Sequence, residues 1–93
     1  MNVKIATLTG EIDPAQLGKT YMHEHVLTDP PHSRMNLDPD YRLDSIEKIV
    51  AELNLFYEAG GRSLMDCTAL DYGRDAKRML EVARQVKVNI LAV

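Results

Sequence analysis

A chain of 93 residues with net charge −3 and one cysteine, Cys67, excludes several classes at once. It is long enough for one small domain and has no intrachain disulfide framework, which fits a reducing compartment. Eleven basic residues scattered among fourteen acidic ones make no basic stripe for nucleic acid. No apolar run follows Met1, so neither a secretory signal nor a membrane span is expected, and a cytoplasmic location is the default.

Residues 3 to 9 alternate apolar and polar side chains loosely and include β-branched residues, the pattern of a half-buried strand. Gly10 ends it, and Glu11-Ile12 return as a short hairpin arm. Asp13-Pro14 reads as an N-cap with proline at the first helical position, and Gly18 limits that helix to one turn. Lys19 to Leu27 form the next extended segment. Residues 28 to 43, with Pro30, Pro31 and Pro39, form a long polar connection, a length that is often functional. Asp44-Ser45-Ile46-Glu47 reads as the carboxylate form of a capping box. Behind it Ile46, Ile49, Val50, Leu53, Phe56 and Tyr57 recur on one helical face, and Gly60-Gly61 end the helix.

Ser63 to Thr68 read as a short buried strand, 69 to 74 as a second loop, and 75 to 86 as a helix with Ala76, Met79, Leu80, Ala83 and Val86 on one face. Val88 to Val93 form a third buried strand. The order strand, helix, strand, helix, strand predicts an α/β fold with parallel strands and right-handed crossovers. The two later strands are nearly all apolar, as when both faces of a sheet are covered.

His23-Glu24-His25 is the segment that carries chemistry. Side chains two apart on a strand point to one face, so both imidazoles project together and Glu24 projects to the other side. Two neutral imidazoles side by side are nitrogen donors for zinc or a similar ion. The triplet alone reads equally well as two hydrogen-bonding histidines. Its position, where an apolar strand meets a long loop, favours a site, because active sites of parallel barrels lie at that end. A catalytic zinc needs at least three protein ligands and an open position. His32, in the proline-rich loop, and Cys67 are the candidates for a further ligand, but His32 reads more readily as a surface residue and Cys67 as a small buried core residue. Asp66 is expected to point away from Cys67 and to contact the following loop or helix. Arg74-Asp75 are expected to cap and anchor the second helix, the alternative being that Arg74 at a loop tip contacts an anionic substrate.

Gly10-Glu11-Ile12 followed by Leu17-Gly18-Lys19-Thr20-Tyr21-Met22-His23-Glu24-His25 resembles the opening of the phosphotriesterase family, within the amidohydrolase superfamily. The resemblance continues in Ala59 to Asp66, in Gly73-Arg74-Asp75 and in Val88 to Ala92, so it covers essentially the whole chain. It implies a metal-dependent hydrolase built as a TIM (β/α)8 barrel, of which this chain holds a parallel βαβαβ piece preceded by a short N-terminal β arm. It also implies two divalent ions, commonly zinc, and a bridging hydroxide nucleophile. His23 and His25 match the motif whose histidines hold the more buried ion. The remaining ligands in the family are a carboxylated lysine, two histidines and an aspartate on later strands, so no lysine or aspartate here inherits a role. The implied partners are small-molecule phosphotriester, lactone or related ester substrates; a homo-oligomer is compatible with the sequence but not required by it.

Such a barrel needs about 250 residues. The chain is therefore expected to be the N-terminal portion, residues 1–93, of a single barrel domain, and to be inactive alone. The alternatives are a non-catalytic βαβ module that binds a metal or a partner, and a small α/β domain whose histidines are structural. A nucleotide-binding version of the latter lacks support, because neither a G-x-G-x-x-G nor a Walker pattern is present.

Overall fold

Residues 3–28, 43–69 and 73–93 are described by a computed structural model. The proline-rich connection from 29 to 42, which contains His32, lies outside the described residues, as does the middle of the second loop.

The arm is a hairpin of β1 (Ile5–Thr7) and β2 (Gly10–Ile12), paired antiparallel with Ile5 opposite Ile12. Gly10 belongs to β2 itself, with φ of 132°. A single 3₁₀ turn, Pro14–Gln16, follows. Gln16 Oε1 accepts from the Asp13 amide at 2.7 Å, while the Asp13 carboxylate pairs with Lys4. Gly18 then takes φ of 59°, as expected of a residue that closes a turn in the left-handed region.

The body is β3 (Lys19–Glu24), α1 (Ile46–Glu58), β4 (Gly61–Asp66), α2 (Ala76–Ala83) and β5 (Asn89–Ala92). The strands form one parallel sheet in the order β3-β4-β5. This is the βαβαβ topology that the alternation of elements predicts. Ser63, Leu64, Met65 and Asp66 pair in turn with Asn89, Ile90, Leu91 and Ala92. The arm docks on the far strand, where the Leu8 amide donates to the Ile90 carbonyl at 2.9 Å.

Four expectations need correction. β3 ends at Glu24 rather than Leu27. His25 therefore lies just beyond the strand, and Val26, Leu27 and Thr28 turn inward and are buried. Ser45, not Asp44, caps α1, and its side chain accepts from the Lys48 amide. β4 begins at Gly61 and stops at Asp66, two residues earlier at each end than the apolar run suggests. α2 stops at Ala83, with Asp75 as its cap accepting from the Arg78 amide at 3.1 Å. Its buried face is Met79, Val82 and Ala83, whereas Ala76 is exposed. The buried face is thus shifted toward Val82, which is fully buried in the core.

The core lies between the helices and the sheet. Leu64 of β4 and Ile90 of β5 pack with Met79, Val82 and Ala83 of α2, and with Val26, Leu27 and Val88. Every residue of the α1 face named above packs against this cluster. Fully burying an aliphatic side chain such as Leu64, Val82 or Ile90 contributes about 1.5–3 kcal/mol. Two polar side chains, Ser63 and Asn89, tie the arm to the sheet: Ser63 Oγ donates to the Leu17 carbonyl at 2.6 Å, and Asn89 Nδ2 donates to the Gln16 carbonyl and to Ser63 Oγ, each at 3.1 Å. These contacts lie at the N-terminal ends of β4 and β5, opposite the histidines.

Candidate metal centre

His23 and His25 sit at the C-terminal end of β3, at the same edge of the sheet as Asp66 and Thr68 beyond β4. Strict alternation does not place them. The interval from Tyr21 to Glu24 on β3 matches the shorter interval from Leu64 to Asp66 on β4, so one extra residue bulges out between them. The two imidazoles nevertheless come together, with ring centroids 5.4 Å apart and planes at 70°. Glu24 goes the other way, toward Glu52, Leu53 and Phe56 of α1.

Both rings are exposed, so an ion could reach them without opening the core. Two imidazoles on one tetrahedral zinc, with Zn–N of about 2.0–2.1 Å, have centres about 5 Å apart. The observed separation fits that requirement. His25 Nδ1 lies 2.9 Å from Thr68 Oγ1, which leaves its Nε2 for an ion. A ring nitrogen engaged by a neighbouring oxygen is the usual companion of a metal-bound histidine.

Behind the histidines lies a buried polar joint. Asp66 and Thr68 are fully buried. Asp66 Oδ2 accepts from the Val26 amide and Oδ1 from the Thr68 amide, both at 2.8 Å. The Cys67 amide donates to the Glu24 carbonyl at 2.9 Å, extending the ladder past the strand ends. Asp66 thus contacts the following loop, as anticipated, but it also grips the chain after His25. A carboxylate buried at the end of an apolar strand needs donors, and the Val26 and Thr68 amides supply them. Thr68 was not singled out, because nothing local distinguishes it from any loop threonine.

Cys67 is partly buried, and its Sγ lies 3.8 Å from the Met22 carbonyl and 3.9 Å from that of Met65. It is not brought to the histidines as a third donor. Among the described residues, no group of three His, Cys, Asp or Glu side chains could hold an ion. Arg74 Nη1 donates to the Val93 carbonyl at 2.7 Å, so it anchors the end of β5 rather than the helix.

The profile of the phosphotriesterase family matches residues 3–93. The chain belongs to the phosphotriesterase family. It is 30% identical to the N-acetyltaurine hydrolase of Xenopus tropicalis, across 96% of this chain and 34% of that protein. It is 26% identical to the phospho-furanose lactonase of Mycoplasmopsis agalactiae, across 89% of this chain and 23% of that protein. The crystal structure of a lactonase from Listeria monocytogenes superposes with a TM-score of 0.86 at 33% identity, over 97% of this chain and 27% of that one. The chain therefore spans about a quarter to a third of the length of the relatives it matches. Its sheet and helices are a parallel βαβαβ piece of a TIM barrel, the fold of the lactonase on which it superposes. No helix among the described residues is long and apolar enough to cross a membrane.

Proposed function

We propose that this chain is the N-terminal portion, residues 1–93, of a single metal-dependent hydrolase barrel, in which His23 and His25 bind a divalent ion such as zinc. The observation that supports this reading is the pairing of the two exposed rings, 5.4 Å apart at the carboxyl edge of a parallel sheet, in a chain of this family. A bound divalent ion would lower the pKa of water toward neutrality and polarise a scissile carbonyl or phosphoryl oxygen. The chain's own residues would hold that ion at the sheet edge and orient the rings. The buried Asp66–Thr68 joint would keep the β3 and β4 ends together around it. Lactones, phosphotriesters and related esters are the proposed substrate class, by kinship with the hydrolases and lactonases above.

Two imidazoles fall short of the three ligands and open position of a catalytic zinc. The remaining ligands would come from further strands of the barrel, and the 93-residue chain alone would not turn over substrate.

Zinc titration of the chain against His23→Ala and His25→Ala tests the ligand assignment. Weaker uptake by both variants is expected, and equal uptake by all three proteins would remove the assignment. With zinc supplied, no hydrolysis of a lactone or phosphotriester by the isolated chain is expected. Turnover above that of the His23→Ala, His25→Ala double variant would show that the chain carries a complete site.

A further inference from the structure

We propose that Thr68 is a positioning residue for His25: its hydroxyl oxygen accepts from Nδ1–H and so holds the ring in the tautomer that leaves Nε2 bare. The inference rests on the reading of His23 and His25 as metal ligands and adds to that site a residue from the loop that follows β4.

The geometry that carries it is a closed circuit between the β3 and β4 ends. Thr68 is fully buried, and its Oγ1 sits 2.9 Å from His25 Nδ1. Its backbone amide is held by Asp66 Oδ1 at 2.8 Å. The other Asp66 oxygen holds the amide of Val26, the residue after His25, also at 2.8 Å. One buried carboxylate therefore fixes both the main chain beside His25 and the residue that meets its ring. The neighbouring Cys67 amide, bonded to the Glu24 carbonyl at 2.9 Å, closes the circuit on the other side of His25.

A neutral imidazole carries one proton, so its two nitrogens cannot both be donors. If Nδ1 carries the proton it must donate, and Thr68 Oγ1 is the acceptor within reach. Nε2 is then a lone-pair donor on the opposite side of the ring, free to take an ion. Without Thr68, the ring would be free to rotate and to place its proton on Nε2, which must lose it before binding an ion. Asp66 acts on this site only through Thr68 and Val26.

The test compares wild type with Thr68→Val, Thr68→Ser and His25→Ala, using zinc alone as the probe and a competing chelator to read affinity. Removing a partner of a metal-bound histidine weakens metal binding roughly ten- to a hundredfold. That loss is expected in Thr68→Val, and recovery to within about threefold of wild type is expected in Thr68→Ser, which keeps the hydroxyl. Nitrogen-15 NMR of the metal-free wild type, at a pH where the ring is neutral, should show His25 as the Nδ1–H tautomer. Wild-type affinity in Thr68→Val, with weakened binding in His25→Ala, would overturn the positioning role and leave the metal reading standing. Unchanged affinity in His25→Ala would remove the metal reading, and the tautomer spectrum would still judge Thr68. An Nε2–H tautomer in the wild type overturns the inference whatever the zinc result. That last measurement needs no variant to fold.

Discussion

Asp66 shows what a single residue does in this fold. Its two carboxylate oxygens satisfy two backbone amides in a fully buried position. Asp66→Ala would leave both amides without a partner, and each buried unpaired donor costs about 1–3 kcal/mol. The expected result is a loss of about 2–6 kcal/mol in urea unfolding. Asp66→Asn retains one acceptor oxygen and should lose less. A loss below that of an exposed control such as Glu47→Ala would show that the joint is not a structural clamp. From the sequence, Asp66 is expected only to contact the following loop or helix. The sequence could not name Val26 as its partner, because the two lie forty positions apart and meet only when β3 and β4 pair.

At the scale of elements, caps and glycines decide where helices and strands begin. Ser45 is the N-cap of α1, so Ser45→Ala should cost about 1 kcal/mol in thermal or urea unfolding, whereas Asp44→Ala should cost less than Ser45→Ala. The reverse order would restore the capping box at Asp44. Gly18 combines φ of 59° with a close approach to Arg62, where an added Cβ would meet Arg62 Cβ at 2.7 Å. Arg62 is not free to yield, since its Nη1 donates to the carbonyls of Tyr57 and Gly61 at 2.9 and 2.7 Å and its guanidinium lies 4.0 Å from the Tyr57 ring centre. Gly18→Ala should therefore destabilise the protein by about 1–3 kcal/mol in urea unfolding, through both its positive φ and the collision, whereas Gly10→Ala meets open space but carries the strain of a φ of 132°. The helix and strand types were readable from periodicity. Their ends were not, because Val26 to Thr28 and Val82 are buried by contacts that local pattern does not encode.

For the molecule as a whole, the sheet is β3-β4-β5, and among the described residues the outer edge of β3 has no strand beside it. Tyr21 and Met22 on that strand are 52% and 70% exposed. Tyr21 packs on Phe56 with ring centroids 4.6 Å apart, while Met22 faces outward. An open strand edge with apolar side chains promotes association. The isolated chain is expected to associate as its concentration rises in sedimentation velocity, and Met22→Lys to shift it toward monomer. A wild type that stays monomeric at every concentration would count against an adhesive edge.

The sequence by itself determined the class of fold, the two helices, the parallel order of strands and the histidine pair. Those depend on local periodicity, on turn residues and on blocks such as Gly10-Glu11-Ile12 and Gly73-Arg74-Asp75 that match the family. Only the tertiary structure decided how the pair is arranged. Period-two alternation predicted the right neighbours for an incomplete reason, because a bulge lies between Tyr21 and Glu24 and His25 sits past the strand. What sets the chain around His25 is the buried Asp66–Thr68 joint. That joint exists because strand pairing brings residues distant in sequence within hydrogen-bonding reach, where burial forces each polar group to find a partner.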